Sequence, residues 1–246
     1  MISPLAYVDA SAKLGANVTV HPFAYIDKNV EIGDDCEIMP HVSIMSGTRM
    51  GKRNRIFNGA VIAAEPQDFN YKGDDTIVEI GDDNVIRENV VINRATNSGG
   101  KTVIGNGNFL HEGVHVSHDT HIGNHSVFGY GSKISGNCMI EDYVIFGGNV
   151  LVSQGCRVGT WSMTQTGCRF RKDVPPYIVA ALEPTTYYGV NSVILMHEGM
   201  SEKIVKHISH AYRIIYQGNT SIFDALLMIK DPVSYTHLTL PTICSV

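Results

Sequence analysis

Residues 104–134 read Ile104-Gly-Asn-Gly-Asn-Phe-Leu110-His-Glu-Gly-Val-His-Val116-Ser-His-Asp-Thr-His-Ile122-Gly-Asn-His-Ser-Val-Phe128-Gly-Tyr-Gly-Ser-Lys-Ile134. A large apolar residue returns at every sixth position. The same frame runs outward from Ile2 to Val158, and of its 27 positions only Asp68, Asp74 and Ser98 are not apolar. A period of six is neither the 3.6 of an amphipathic helix nor the 2 of a half-buried strand. It fits short strands that each send one side chain inward and then turn. With three strands to a coil, residues 18 apart stack on one face of a triangular parallel β-helix. Glycine often follows the inward residue, as at Gly15, Gly33, Gly51, Gly81, Gly105, Gly123 and Gly129, and is expected to relieve the turn backbone.

Cys36, Cys138, Cys156 and Cys168 lie two residues before an inward position, which assigns them to a second, small core slot as reduced thiols. No Cys-x-x-Cys pair occurs among the five cysteines, Cys244 being the fifth, so zinc-ribbon and thioredoxin-type sites are excluded. The residue just before each inward position points outward. On one face these are Phe109, Val127, Ile145 and Met163, an apolar stripe that predicts a homo-oligomer, most simply a threefold ring. The other faces carry His115, Lys133, Leu151 and His121, Met139, Arg157. Residues 63–78 and 95–101 lose the beat and hold turn residues. Both are expected to be loops, where function concentrates on rigid scaffolds.

The pattern fades at Pro175-Pro176, where the strands are expected to end. From Asn191 the period becomes helical. Ser201 caps a helix through Ile204, Val205, Ile208, Ala211, Tyr212 and Ile215 to a stop at Gly218, and a Ser221/Asp224 capping box opens a second over 222–230. The chain thus divides into a β-helix over 1–190 carrying both loops and a helical C-terminal domain over 191–232 that is cut short. Residues 233–246 resemble a translated sequencing adapter and are expected to be a non-native tail.

The net charge of −5 argues against broad nucleic-acid binding. The first residues lack a basic segment followed by an apolar run, so no signal peptide is expected. No stretch approaches 18 consecutive apolar residues, so no membrane span is expected and the protein is placed in the cytoplasm.

Five histidines fall within residues 111–125: His111, His115, His118, His121 and His125. Such a cluster fits a metal site, a general base with its orienting acid, or outward-facing polar residues. Other segments bear on the choice. Pro66-Gln67-Asp68-Phe69-Asn70-Tyr71, Ile86-Arg87-Glu88-Asn89-Val90-Val91-Ile92-Asn93-Arg94, His115-Val-Ser-His118-Asp119, Asp173-Val-Pro-Pro-Tyr177 and Gly189-Val-Asn191 occur in that order. With the helical tail they resemble the UDP-N-acetylglucosamine O-acyltransferase family, which starts lipid A synthesis, over residues 1 to about 231. The resemblance implies a mostly β fold, a left-handed parallel β-helix of hexapeptide repeats followed by a small α-helical domain. The left hand comes from the resemblance, since parallel crossovers in general are right-handed. It also implies transfer of an (R)-3-hydroxyacyl chain from acyl carrier protein to the 3-hydroxyl of UDP-N-acetylglucosamine, in a homotrimer with sites between subunits. No cofactor and no metal is called for.

An alcohol of high pKa attacking a thioester needs a positioned base, most often histidine. His118 lies two residues past Val116, in a turn outside the core. The resemblance makes His118 the base, Asp119 the acid that orients it and Gly136 the backbone N–H for the oxyanion; Gly136 lies 18 residues on, in the same turn one coil along. It further assigns Asp68, His115, Gln154 and Asn191 to substrate contacts, and sets Thr166 near the end of the acyl groove. His197 stands where an arginine often contacts phosphates. Asn70, Asn137 and Ser153 also depart from the family pattern, with Lys72, Arg171 and Lys172 as candidate replacements for the lost positive charge. The competing readings are another hexapeptide acyltransferase with an amine acceptor or acetyl-CoA, a trimeric scaffold with a decayed site, and a zinc site among the histidines.

Overall fold

The structure, a computed structural model, describes residues 1–182, 184–217 and 221–230. Short parallel strands form three sheets of nine, eight and ten strands among the described residues. The first face runs from Tyr7–Val8 to Arg169–Phe170, and the second from Lys13–Leu14 to Arg157–Val158. The third runs from Thr19–Val20 through Met163–Thr164 to a closing pair, Ile178–Ala181 and Thr186–Val190. Successive coils stack in the predicted register: Val116 on Ile134, Ile122 on Ile140, and Phe109 on Val127, Ile145 and Met163. The inward column is dry. Ile92, Val116 and Ile134 are fully buried, and each such side chain contributes about 1.5–3 kcal/mol by leaving water.

The four cysteines of the second slot are buried and free, as the frame requires. The same slot also carries an asparagine ladder that the sequence reading passed over. The Asn84 backbone N–H and Nδ2 donate to Asn54 Oδ1 at 2.9 and 3.0 Å, and those of Asn108 donate to Asn84 Oδ1 at 2.9 and 3.1 Å. These partners lie 30 and 24 residues apart, because the two loops fall between them. Buried amides satisfied this way hold the coils in register across both insertions.

Three expectations need correction. The glycines after the inward residues are not at left-handed backbone positions. That conformation falls two residues further on, at Asn17, Asp35, Arg53, Asp83, Asn137 and Trp161 among others. Gly33 and its equivalents are instead required by close stacking: a Cβ on Gly33 would stand 2.7 Å from the Gly51 carbonyl. Where bulky residues take the left-handed position, ring stacking accompanies them, as in His125 on Tyr143 at 5.2 Å and Tyr143 on Trp161 at 4.2 Å. The loops are also shorter than 63–78 and 95–101. Strands Val61–Ala64, Ile77–Ile80 and Lys101–Ile104 extend into those ranges, paired to their neighbours, with Val78 fully buried opposite Thr48.

Nor do the strands end at Pro175-Pro176. Ile178–Ala181 pairs parallel with Met163–Thr164 and antiparallel with Thr186–Val190; the prolines lie on the approach, where they interrupt no ladder. A short helix the sequence did not announce, α1 (Ser192–His197), precedes α2 (Glu202–Gln217) and α3 (Ile222–Lys230). Ser221 and Asp224 form the expected capping contact, Asp224 N–H to Ser221 Oγ at 3.1 Å and Ser221 Oγ to Asp224 Oδ2 at 2.7 Å. Ile208, Tyr212 and Ile215 of α2 join the apolar cluster of the last coils, and Tyr212 donates its hydroxyl to the Pro176 carbonyl at 2.8 Å. A solenoid needs such a cap on its open end. Gly218 and residues 233–246, Cys244 included, lie outside the described residues. Among those described, no helix is long and apolar enough to cross a membrane. The architecture is a left-handed parallel β-helix with a small helical appendage.

Candidate active site

Each coil has three edges. The first, joining the first face to the second, carries residues 117–120, 135–138 and 153–156. Both loops leave the helix on this edge. They follow strands Val61–Ala64 and Val91–Asn93, the second of which stacks directly on His115–Val116 and the first one coil further along the same face. The first loop is pinned by Arg94, whose Nη2 donates to the Tyr71 hydroxyl at 2.8 Å, while Tyr71 N–H donates to the Asp68 carbonyl at 3.2 Å.

The loops converge on His118, whose side chain is 9% exposed. Its Nδ1 lies 2.8 Å from Asp119 Oδ2, within hydrogen-bond reach of the neighbouring carboxylate. Asp68 Oδ2 faces the other ring nitrogen, Nε2, at 3.4 Å. Gly136 stacks against the ring face: a Cβ there would stand 2.3 Å from His118 Cε1 and 2.6 Å from Nε2. His115 sits beside this group on the first face, half-buried, with Nε2 3.0 Å from Ser117 Oγ. Burial, then the Lys133 ammonium and His118, push its imidazole below the ordinary value.

On the second edge, Asp142 Oδ1 accepts the Asn124 N–H at 2.7 Å, and Asn124 Oδ1 accepts the Asn106 N–H at 2.8 Å. Gly136 occupies the same place in its turn as Asn124, two residues past the inward position. One coil along from it stands Gln154, exposed, and the Gly136 N–H makes no hydrogen bond among the described residues. The first edge therefore offers a ring nitrogen, two carboxylates and an open backbone donor.

The other candidates do not gather there. Thr166 is exposed on the third edge. Asn191 is buried by the second edge, donating Nδ2 to the Trp161 carbonyl at 3.1 Å. His197 projects from α1, its side chain 82% exposed and its Nδ1 3.1 Å from Glu198 Oε1. The five histidines are spread around the coil, with His111, His118 and His125 on three different edges and His115 and His121 on two faces. Among the described residues no three His, Cys, Asp or Glu side chains could hold a metal ion. The sequence reading missed Thr96 of the second loop, which donates to Asp119 Oδ2 at 2.7 Å. A signal was available: the frame puts both loops on the edge of His118.

Comparison with known proteins follows the same lines. Residues 173–239 match the family described as Udp N-acetylglucosamine O-acyltransferase, Domain 2, and residues 101–136 match six bacterial transferase hexapeptide repeats. The chain is 43% identical over 233 residues to an acyl-[acyl-carrier-protein]–UDP-N-acetylglucosamine O-acyltransferase of Xanthomonas axonopodis pv. citri, covering 94% of this chain and 89% of that one. It superposes on a UDP-N-acetylglucosamine acyltransferase from Bacteroides fragilis with a TM-score of 0.93 at 51% identity, covering 96% of this chain and 93% of the other. An Arabidopsis UDP-N-acetylglucosamine acyltransferase, 29% identical, superposes with a TM-score of 0.83 over 94% of this chain and 89% of that one.

Proposed function

The chain belongs to the acyl-[acyl-carrier-protein]–UDP-N-acetylglucosamine O-acyltransferase family, and on that premise we propose how its residues perform the transfer. His118 Nε2 takes the proton of the sugar 3-hydroxyl as that oxygen attacks the thioester carbon of an (R)-3-hydroxyacyl carrier protein. The Gly136 N–H receives the oxyanion that forms. Collapse expels the carrier thiolate, which recovers the proton from His118, leaving the ester on the sugar. Asp119 fixes the ring through Nδ1 and leaves Nε2 for chemistry. Asp68 faces Nε2 from the loop and accepts a sugar hydroxyl beside the reacting one. The observation that carries this reading is the convergence of both loops on a histidine stacked over an unpaired backbone amide.

The reaction is the first step of lipid A synthesis, in the cytoplasm, and the working form is a homotrimer. Two features support the trimer. Phe109, Val127, Ile145 and Met163 form a contiguous half-buried apolar row on the third face. Thr166 and Asn191 stand on other edges than His118, so edges of neighbouring copies must meet to bring acyl-groove and nucleotide contacts to the base. Gln154 and His115 line the groove near the base, and His197 reaches the nucleotide from α1. Mass-spectrometric transfer assays with hydroxyacyl carrier proteins of several lengths and UDP-N-acetylglucosamine test the reading. His118→Ala should lower kcat by about 10²–10⁴-fold; transfer at the parent rate in that variant contradicts it.

A further inference from the structure

We propose that Thr96, on the second loop, is a positioning residue for the His118–Asp119 pair. Asp119 cannot hold His118 by adjacency alone. It sits at a left-handed turn position, φ 59°, and an exposed aspartate there would be free to rotate away. The second loop prevents this. Thr96 is 6% exposed and approaches Asp119 with two donors: its hydroxyl reaches Oδ2 at 2.7 Å, and its backbone N–H reaches Oδ2 at 3.2 Å and Oδ1 at 3.4 Å. Asn97 Nδ2 donates to Thr96 Oγ1 at 3.2 Å, which directs the hydroxyl proton toward the carboxylate. From behind, the Asp119 N–H donates to Thr102 Oγ1 at 2.9 Å.

The consequence for His118 follows from counting donors and acceptors. A carboxylate oxygen only accepts. Because Oδ2 can only accept, from the Thr96 hydroxyl and from the ring alike, the His118 Nδ1 in contact with it is a donor, and the ring is held with Nε2 turned toward Asp68 and the groove. The loop's own construction serves this contact. The Gly100 N–H closes a tight turn on the Asn97 carbonyl at 2.8 Å, and a Cβ on Gly100 would stand 2.7 Å from that carbonyl oxygen and 3.4 Å from Asp119 Oδ1. The insertion therefore does more than interrupt a coil: it lowers a hydroxyl onto the acid behind the base.

The proposal rests on His118 being the base, and the test separates the two. Steady-state transfer is measured for Thr96→Val, Thr96→Ser, Asp119→Ala, His118→Ala and the Thr96→Val/Asp119→Ala double variant. A hydrogen bond to a charged group sets the scale, so Thr96→Val should lower kcat about tenfold or more. KM for UDP-N-acetylglucosamine should stay within about twofold, and Thr96→Ser should recover most of the rate. In the Asp119→Ala background the same change should cost less than about twofold, because the residue it acts through is gone. A Thr96→Val enzyme with parental kcat, or one whose loss appears in KM alone, or a tenfold loss that persists without Asp119, overturns the positioning role. Should the valine variant not fold, Thr96→Ala is read in the same way. His118→Ala at the parent rate removes the base assignment and this proposal with it, whereas an inactive His118→Ala beside a fully active Thr96→Val removes this proposal alone.

Discussion

At the second edge of the β-helix the Asn124 N–H is taken up by Asp142, one coil along. At the first edge the Gly136 N–H, in the same place of an equivalent turn, is taken up by no group of the described chain. Both turns start from the same inward isoleucine and the same backbone course. The second edge carries Asp or Asn at most levels from Asp82 to Asp142, and each short side chain reaches back to the amide before it. The first edge carries His118, Gly136 and Gln154 instead, and both insertions leave from it. One edge uses its amides to tie coil to coil; the other leaves the Gly136 amide open beside His118, where we propose the chemistry takes place.

Substitutions on the two edges should therefore separate rate from stability. After His118→Ala, the largest effect belongs to Gly136→Ala. Its Cβ would meet the His118 ring at 2.3 Å, so the ring must shift, and a displacement of that size costs about 100-fold in kcat. Steady-state assays check this, with thermal melting to show that the fold persists. Asn124→Ala on the second edge should do the reverse. It strips the acceptor from the Asn106 N–H and Nδ2, lowers stability by about 1 kcal/mol, and moves Tm by about 2–4 °C with kcat unchanged. The smallest effect concerns His115. Its folded pKa is depressed, so the unfolded chain binds the proton more readily below its ordinary value of 6.5. Stability should then be complete above that pH and decline as pH falls through the window beneath it. His115→Asn should flatten the acid side of a Tm-against-pH curve and leave the neutral side alone.

The repeat made most of the fold legible, because a period of six has few physical solutions and its phase survives both loops. From that phase Ile92, Val116 and Ile134 are core, and His118 and Gly136 share an edge one coil apart. The same phase misled on the glycines. A sequence shows that Gly33 follows Ile32, but not whether the missing Cβ makes room for a turn or for the coil beneath it. Asp119 was legible as a neighbour of His118, and the 2.8 Å contact needed the structure. The frame placed the second loop on the edge of His118, but not which of its residues reaches in: the Thr96 contact spans 23 residues across irregular backbone, where no period carries information. The hairpin after Pro176 and helix α1 were missed for a related reason: short elements fixed by tertiary pairing leave little local pattern.

The central claim is that the first edge is chemically active because an open amide there lies against His118. Gln154→Asp tests it most directly, since it places on the first edge the short carboxylate that Asp142 provides on the second. With the Gly136 N–H capped, kcat should fall about 100-fold, as for loss of an oxyanion donor, while Tm stays level or rises. A Gln154→Asp enzyme that folds and turns over at the parent rate would contradict the account.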